Sequence, residues 1–280
     1  MLEITEVSFS YPGQAPALNN VSLTIAAGDF IGLAGRNGSG KTTLTRLMVG
    51  LAKPSAGQVI LDGKPTRECG PKVMARSIGY VFQNPDRQIF RDTVATEVAY
   101  GPEQMEWGEA ERRQAVAEAL AMTGLTEVAE AYPRGLPRSV RQRIAIASAL
   151  ALRPRLLILD EPTSGQDAVE KNQLMQLLGT LNRQGIGVIL VTHDMELLLE
   201  HTRRTVVLHR GQKVYDGPTG ALFADPARDV TVWGLRVPDA AAIAAKITSL
   251  NEPVQSMAEL ADRLKESLEE KTDEEPGAPL

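Results

Sequence analysis

Gly35-Arg36-Asn37-Gly38-Ser39-Gly40-Lys41-Thr42 decides the fold. The octet matches the phosphate-cradling pattern G-x-x-x-x-G-K-[ST], a glycine-rich turn placed between a strand and a helix. Its context fits. Before it, Phe30 to Ala34 is a short apolar run of the kind a buried strand makes. After it, Leu44, Leu47, Met48 and Leu51 fall at i, i+3, i+4 and i+7, which predicts one face of a helix. The physics of such a loop is direct. Glycines let the backbone close around an anion, and successive N–H groups point at it where the helix dipole is positive. Gly35, Asn37, Gly38, Ser39, Gly40 and Thr43 are the expected lining, Lys41 adds charge at the β- and γ-phosphates, and the Thr42 hydroxyl is a ligand for Mg²⁺. The expectation is a site for a nucleoside triphosphate and Mg²⁺.

Working outward, alternation predicts strands at residues 2–9 and 21–25, with further strands at Gly57–Asp62 and Ser77–Phe82. Residues 93–153 read as mainly helical, broken from Tyr132 to Ser139. Two apolar runs, Leu156–Leu159 and Val188–Thr192, read as buried strands, with Leu174, Leu177, Leu178 and Leu181 marking a helix face between them. Strand, helix and strand in alternation imply an α/β fold on a mainly parallel sheet. Arg204–Tyr215 reads as a hairpin turning near Arg210-Gly211. Beyond Asp225, Pro226, Pro238 and Pro253 punctuate two short amphipathic helices, the second marked by Leu260, Leu264 and Leu268. The acidic, proline-containing end, residues 271–280, is expected to be disordered.

The run Leu156-Leu157-Ile158-Leu159 delivers Asp160 and Glu161 to a strand end. A carboxylate pair in that place is usually only a solvated terminus. Beside a phosphate loop it gains chemistry, with Asp160 holding the Mg²⁺ shell and Glu161 orienting or deprotonating the attacking water.

Composition excludes other classes. With 280 residues and 43% hydrophobic composition the chain can bury a large core. A net charge of −5 gives no overall basic field for a phosphate backbone, so nucleic acid is not an expected partner. Cys69 is the single cysteine, which rules out an internal disulfide and a Cys-ligated zinc site. The start, MLEITEVSFSY, alternates rather than forming the apolar run of a signal peptide, and no apolar stretch approaches the roughly 18 residues a span needs. A cytosolic chain is expected, held at a membrane only by other proteins.

Gln83 at the end of Gly79-Tyr80-Val81-Phe82, Ser164-Gly165-Gln166-Asp167 after the acidic strand, and His193 after Leu190-Val191-Thr192 narrow the reading. Together these segments resemble the Q-loop, D-loop and H-loop of ABC-type ATPases, a resemblance that covers about residues 1–225. It implies an N-terminal antiparallel β subdomain and a helical subdomain at about 92–153. It also implies roles: Gln83 on Mg²⁺ and the nucleophilic water, His193 at the γ-phosphate, Asp167 across a dimer seam, and Tyr11 stacked on adenine. Asn84-Pro85-Asp86-Arg87-Gln88-Ile89-Phe90 resembles the corresponding segment in the ATPase subunits of energy-coupling factor (ECF) transporters, which import vitamins and transition-metal ions. That likeness implies that Asp86, Gln88 and Phe90 meet a transmembrane T component, that a substrate-binding S component completes the assembly, and that the subunit sits peripherally on the cytoplasmic face of the membrane. The segment from Trp233 to Pro238, then 240–247 and 256–264, resembles the family's C-terminal extension, implying that residues 226–270 help two ATPase subunits dimerise.

One motif departs from the family. Its signature, similar to Leu-Ser-Gly-Gly-Gln at a helix start, aligns here with Leu136-Pro137-Arg138-Ser139-Val140. In the family the serine and glycine amides reach across the dimer to the other subunit's γ-phosphate. Pro137 has neither hydroxyl nor N–H, and Arg138 and Ser139 put side chains where bare backbone is wanted. The departure implies a heterodimer of related ATPases with one competent and one weak site. Other readings stay open: an ATPase of another ABC importer, a non-hydrolysing nucleotide sensor, or a DNA-maintenance ABC ATPase. The last needs coiled-coil arms, and no heptad run lies between Lys41 and Asp160.

Overall fold

A computed structural model describes residues 1–225, 227–247 and 253–273, with side chains as far as residue 266. Expectations resting on Pro226, on the Leu268 side chain and on residues 274–280 of the acidic tail lie outside it.

The chain begins with β1 (Leu2–Ser10), β2 (Pro16–Ile25) and β3 (Phe30–Ala34), then α1 (Lys41–Met48), β4 (Ala56–Leu61) and the short β5 (Lys64–Pro65). Next come α2 (Pro71–Ser77), β6 (Ile78–Val81), α3 (Val94–Gln104), α4 (Glu109–Thr123), α5 (Arg138–Leu150) and β7 (Leu156–Asp160). The core closes with α6 (Ala168–Arg183), β8 (Gly187–Val191), α7 (Met195–His201), β9 (Arg204–His209) and β10 (Gln212–Pro218). Three helices follow: α8 (Thr219–Ala224), α9 (Asp239–Ala244) and α10 (Met257–Asp273).

Two sheets result. An antiparallel sheet is ordered β2-β1-β4-β5 and a mixed sheet is ordered β10-β9-β3-β8-β7-β6. In the second, β9, β3, β8, β7 and β6 run parallel, and β10 folds back antiparallel at the edge. The β9–β10 turn falls at Arg210-Gly211, both with positive φ, which matches the right-handed twist of the strands it joins. The central strands read IGLA, LLILD and GVILV because both faces are covered.

Each face carries its own apolar cluster. Ile31, Leu33, Ile158, Ile189 and Val191 pack with Leu2, Val21, Leu44 and Leu47 toward the antiparallel sheet and α1. Leu157, Leu159, Val188 and Leu190 face Val98, Ile144, Leu174 and Leu178 on the helical side. A third cluster joins Ala34, Leu198, Val207 and Leu222 to Val230, Leu235, Ala240, Val254 and Leu260 of the C-terminal segment.

Some local expectations shift. The helix after the phosphate loop stops at Met48, so Leu51 lies beyond it and is 65% exposed. Its apolar spacing continues a face that the backbone has already left. The helical break is longer at its start and shorter at its end: α4 stops at Thr123, capped by Gly124 in the left-handed region, and α5 begins at Arg138 after Pro137 as N-cap, so Arg138 and Ser139 belong to its first turn. Helix α2, opened by Pro71, was not foreseen, since a short segment gives little periodicity to read. Leu177 is half-buried at the margin of its cluster.

Candidate functional site

In a parallel sheet every strand presents its carboxyl end on the same side, and crevices form there. Strand β3 runs into the loop 35–40, Gln83 follows β6, Asp160 ends β7, and His193 follows β8. They line one cavity of about 930 Å³ with Tyr11, Asn37, Lys41, Thr42, Thr43 and Glu161. The sequence-predicted residues of the loop and strand ends are thus brought together.

The loop's shape depends on Gly40, which has φ 107° as the N-cap of α1. A Cβ there would lie 2.7 Å from the Ala17 carbonyl, so no larger residue fits. Lys41 is buried, and its Nζ donates to the Gly35 carbonyl at 2.6 Å and the Arg36 carbonyl at 3.2 Å. Burial lowers its pKa, while the nearby charges of Glu161 and Asp160 oppose the shift. Ser39 is the loop residue that the cavity does not expose: its Oγ is buried and takes no hydrogen bond among the described residues. Tyr11 stands at the far end of the cavity, its hydroxyl 3.3 Å from Thr43 Oγ1 and its ring edge-on to Phe9.

Asp160 Oδ2 accepts from Thr42 Oγ1 at 3.4 Å and from Tyr80 Oη at 3.2 Å. Burial raises the Asp160 carboxyl and the Glu161 charge adds to it, against the Tyr80 and Thr42 hydrogen bonds and the Lys41 charge. Burial likewise pushes the Tyr80 phenol up to about 12. Thr42 and Asp160 together offer hard oxygens suited to Mg²⁺. The Thr42 hydroxyl, the Asp160 carboxylate and the Lys41 ammonium, all lining the cavity, fit a magnesium–triphosphate group.

Glu161 is held in the left-handed region, at φ 46°, by its N–H donating to the Val191 carbonyl at 2.8 Å. Such a conformation costs of order 1–2 kcal/mol and has to be enforced by the surroundings. It aims the carboxylate into the cavity, where Oε2 meets His193 Nδ1 at 3.0 Å, Ser164 Oγ at 3.2 Å and Gln83 Nε2 at 3.4 Å. His193 is largely exposed at the cavity mouth. The next residue, Asp194, caps α7 by accepting from the Leu197 N–H and pairs with Lys171 at 2.8 Å. A carboxylate fixed by two donors, with His193 alongside, beside a phosphate cradle can orient a water for in-line attack.

Other predicted residues lie elsewhere. Pro137, Arg138, Ser139 and Val140 do not line this cavity. They form the start of α5, where the Arg138 guanidinium rests over Gly165 and Arg141 ties the segment together through the Leu136 carbonyl and Asp86. Asp167 caps α6 in a reciprocal box with Glu170. A second, apolar cavity of about 640 Å³ is lined by Leu51, Met74, Gln88, Phe90, Tyr100 and Leu152, among others. Phe90 is exposed and stacks edge-on with Tyr100, while buried Glu97 accepts from the Phe90 and Arg91 N–H groups. Gln88 is turned inward to the Ala145 carbonyl, and Asp86 pairs internally with Arg141.

Sequence reasoning missed several contributors, among them Gln14 to Ala17 and Met195 in the cavity wall. Tyr80 lay in view as a strand residue, and its inward hydroxyl has no sequence signal beyond alternation. Thr45 follows the loop by one helical turn, a spacing that places it under Thr42. Gly234 and Leu235, from the C-terminal segment, form part of the first cavity's wall, with Gly234 (φ 73°) seated against the Arg36 stem.

A family model described as ABC transporter matches residues 18–164. An ABC transporter ATP-binding protein of Pyrococcus furiosus is 37% identical over 93% of this chain and 98% of its own length. One of Methanosarcina mazei is 40% identical over 80% of this chain but only 38% of its own length. The chain spans about two fifths of the first such relatives it matches. Among solved structures, cbiO1 of Clostridium perfringens, described as part of the ABC transporter complex cbiONQ, aligns with TM-score 0.75 and 32% identity over 86% of this chain and 97% of that one. An ATP-binding cassette captured as a post-hydrolysis dimer with ADP and Pi aligns with TM-score 0.69 and 30% identity over 78% of this chain and 99% of that one. The chain therefore belongs to the ABC transporter family, and the relatives it matches are ATP-binding proteins of that family.

Proposed function

We propose that this chain is the ATPase subunit of an energy-coupling factor transporter, powering uptake of a vitamin or a transition-metal ion as one half of a heterodimeric ATPase pair. The observation that carries the reading is an asymmetry within one chain. The cavity holds a complete phosphate cradle with Asp160, Glu161 and His193, while the segment 136–140 offers a proline at the N-cap of α5.

Lys41 and the loop amides bind the triphosphate, Tyr11 stacks on the base, and Thr42, Asp160 and Gln83 hold Mg²⁺. Bound there, Mg²⁺ would supply charge neutralisation for the phosphates. Glu161 takes the proton of the attacking water while His193 steadies the γ-phosphate from the mouth. Across the seam, near Asp167, a paralogous ATPase supplies a full signature to this site. The reciprocal site, built on Pro137, Arg138, Ser139 and Val140, is weak. Residues 226–270 contribute to pairing. The apolar cavity between α2 and α3 takes a coupling segment of the transmembrane T component, with Phe90 at its rim and Asp86 and Gln88 bracing the loop from within. An S component carries the solute. The subunit works from the cytoplasmic face; no helix among the described residues is long and apolar enough to cross a membrane.

The test is purification from native membranes with mass spectrometry of what accompanies the chain, followed by ATPase assay of the chain alone and with its partner. A paralogous ATPase and two membrane proteins in the complex, with turnover that needs the paralogue, is the expected result. Robust cooperative turnover by the isolated chain overturns the heterodimer.

A further inference from the structure

Tyr80 is a half-buried phenol on β6, the strand that ends at Val81 two residues before Gln83, and its ring stacks edge-on with Phe82 at 5.0 Å. Strand pairing sets Tyr80 opposite Ile158 on β7, so its side chain stands beside the strand that carries Asp160. The hydroxyl has two neighbours. It donates to Asp160 Oδ2 at 3.2 Å and lies 3.3 Å from Thr45 Oγ1, which is fully buried on α1. Thr45 Oγ1 also reaches back to the Thr42 carbonyl at 3.1 Å, and Thr42 Oγ1 donates to the same Asp160 oxygen at 3.4 Å. These contacts close a ring through three elements: the first turn of α1, the end of β7, and β6.

A phenol is un-ionised at neutral pH, so its proton goes to the carboxylate, and a hydrogen bond to a charged acceptor is about twice as strong as a neutral one. Both donors act on Oδ2, and among the described residues no hydrogen bond reaches Oδ1. A carboxylate clamped by one oxygen has its plane fixed and its other oxygen free, which is what a metal-bound water requires. Groups that orient a ligand in this way are second partners of the metal.

We propose that Tyr80 is a positioning residue for the magnesium site, locking the Asp160 carboxylate against α1 through Thr45 and tying that carboxylate to the strand that leads into Gln83. The inference rests on the Mg–ATP reading of the cavity. Because β6 leads directly into the Q-loop, a displacement of Gln83 is felt at Asp160 through one hydroxyl.

The test uses the full chain and a fluorescent ATP analogue, titrated with Mg²⁺ and, separately, in EDTA. Tyr80→Phe removes the hydroxyl and keeps the ring on Phe82. The Mg²⁺ concentration for half-maximal tight binding should rise about 10- to 100-fold, the usual effect of losing an outer-shell partner, with metal-free binding unchanged. An unaltered Mg²⁺ requirement overturns the proposal. So does parallel loss of metal-free binding in Tyr80→Phe, which marks a purely structural residue. Thr45→Val should give a smaller shift in the same direction, and a larger one contradicts the chain of contacts. If the wild-type chain shows no Mg²⁺-dependent binding, the underlying site reading fails instead.

Discussion

Repairing the signature separates a damaged donor set from a harmless variation. The perturbation is Pro137→Ser, Arg138→Gly and Ser139→Gly together. Pro137 is exposed at the N-cap of α5 with φ −54° and ψ 155°, and no side chain caps the helix there. Serine accepts that backbone conformation and can cap, which stabilises by about 0.5–2 kcal/mol. Losing the proline frees the unfolded chain at a cost of about 0.4–1 kcal/mol. The two glycines in the first turn cost at most about 1 kcal/mol each. The net change lies within about 2.5 kcal/mol, small beside the roughly 5–15 kcal/mol that holds a domain folded. The gain is kinetic. One preorganised donor is worth about 10²- to 10³-fold in rate, so the isolated chain should hydrolyse ATP at least about 100-fold faster once self-paired. Phosphate release measured against protein concentration reads this directly, with a steeper than linear dependence expected from a dimer. If the repaired chain folds, binds ATP as before and turns over no faster, the segment is not a missing donor set.

Glu161→Gln should drop turnover about 10²- to 10⁴-fold while nucleotide titration shows binding intact, because a glutamine oxygen can still accept from Ser164 and Gln83. Gly234→Ala should cost about 1–2 kcal/mol through its left-handed backbone and weaken nucleotide binding, since the new methyl group runs into Arg36. Adding Arg36→Ala should restore affinity in a fluorescence titration and leave the melting temperature low. Asp216 is raised by burial, but hydrogen bonds from Arg204 and Lys213 outweigh this, with the Arg204 and Lys213 charges adding, and hold it below its ordinary 3.8. A carboxyl depressed on folding contributes stability above its unfolded value and loses it as pH falls through the lower folded one. Asp216→Asn should therefore lower the melting temperature at pH 7 and flatten its fall below about pH 4.

The parts of the site that travel along the chain were legible. Gly35 to Thr42 carries its own geometry, because glycines and a lysine at fixed spacing need only a strand before them and a helix after. Asp160 and His193 were legible for a related reason: an apolar run that stops at a charged residue marks a strand end, and parallel strands all end on one side. Tyr80 was not, because its partner Asp160 is distant in sequence and only β6–β7 pairing brings them together. Leu51 misled because spacing reports which residues could share a face and says nothing of where the helix stops. Asp86 and Gln88 were legible as members of a segment, yet their bonds to Arg141 and the Ala145 carbonyl join positions far apart in the chain, which one-dimensional order cannot reveal.

The third apolar cluster bears on how such chains can be recombined. Leu235 and Val230 fill space against Ala34 at the end of β3 and Leu198 on α7, and the Asp239 N–H donates to Glu196 at 2.6 Å. A chimera that trades the tail of one relative for another must therefore exchange matching surfaces on β3, β9 and α7 as well. Grafting at Asp225 alone would leave a lock without its key.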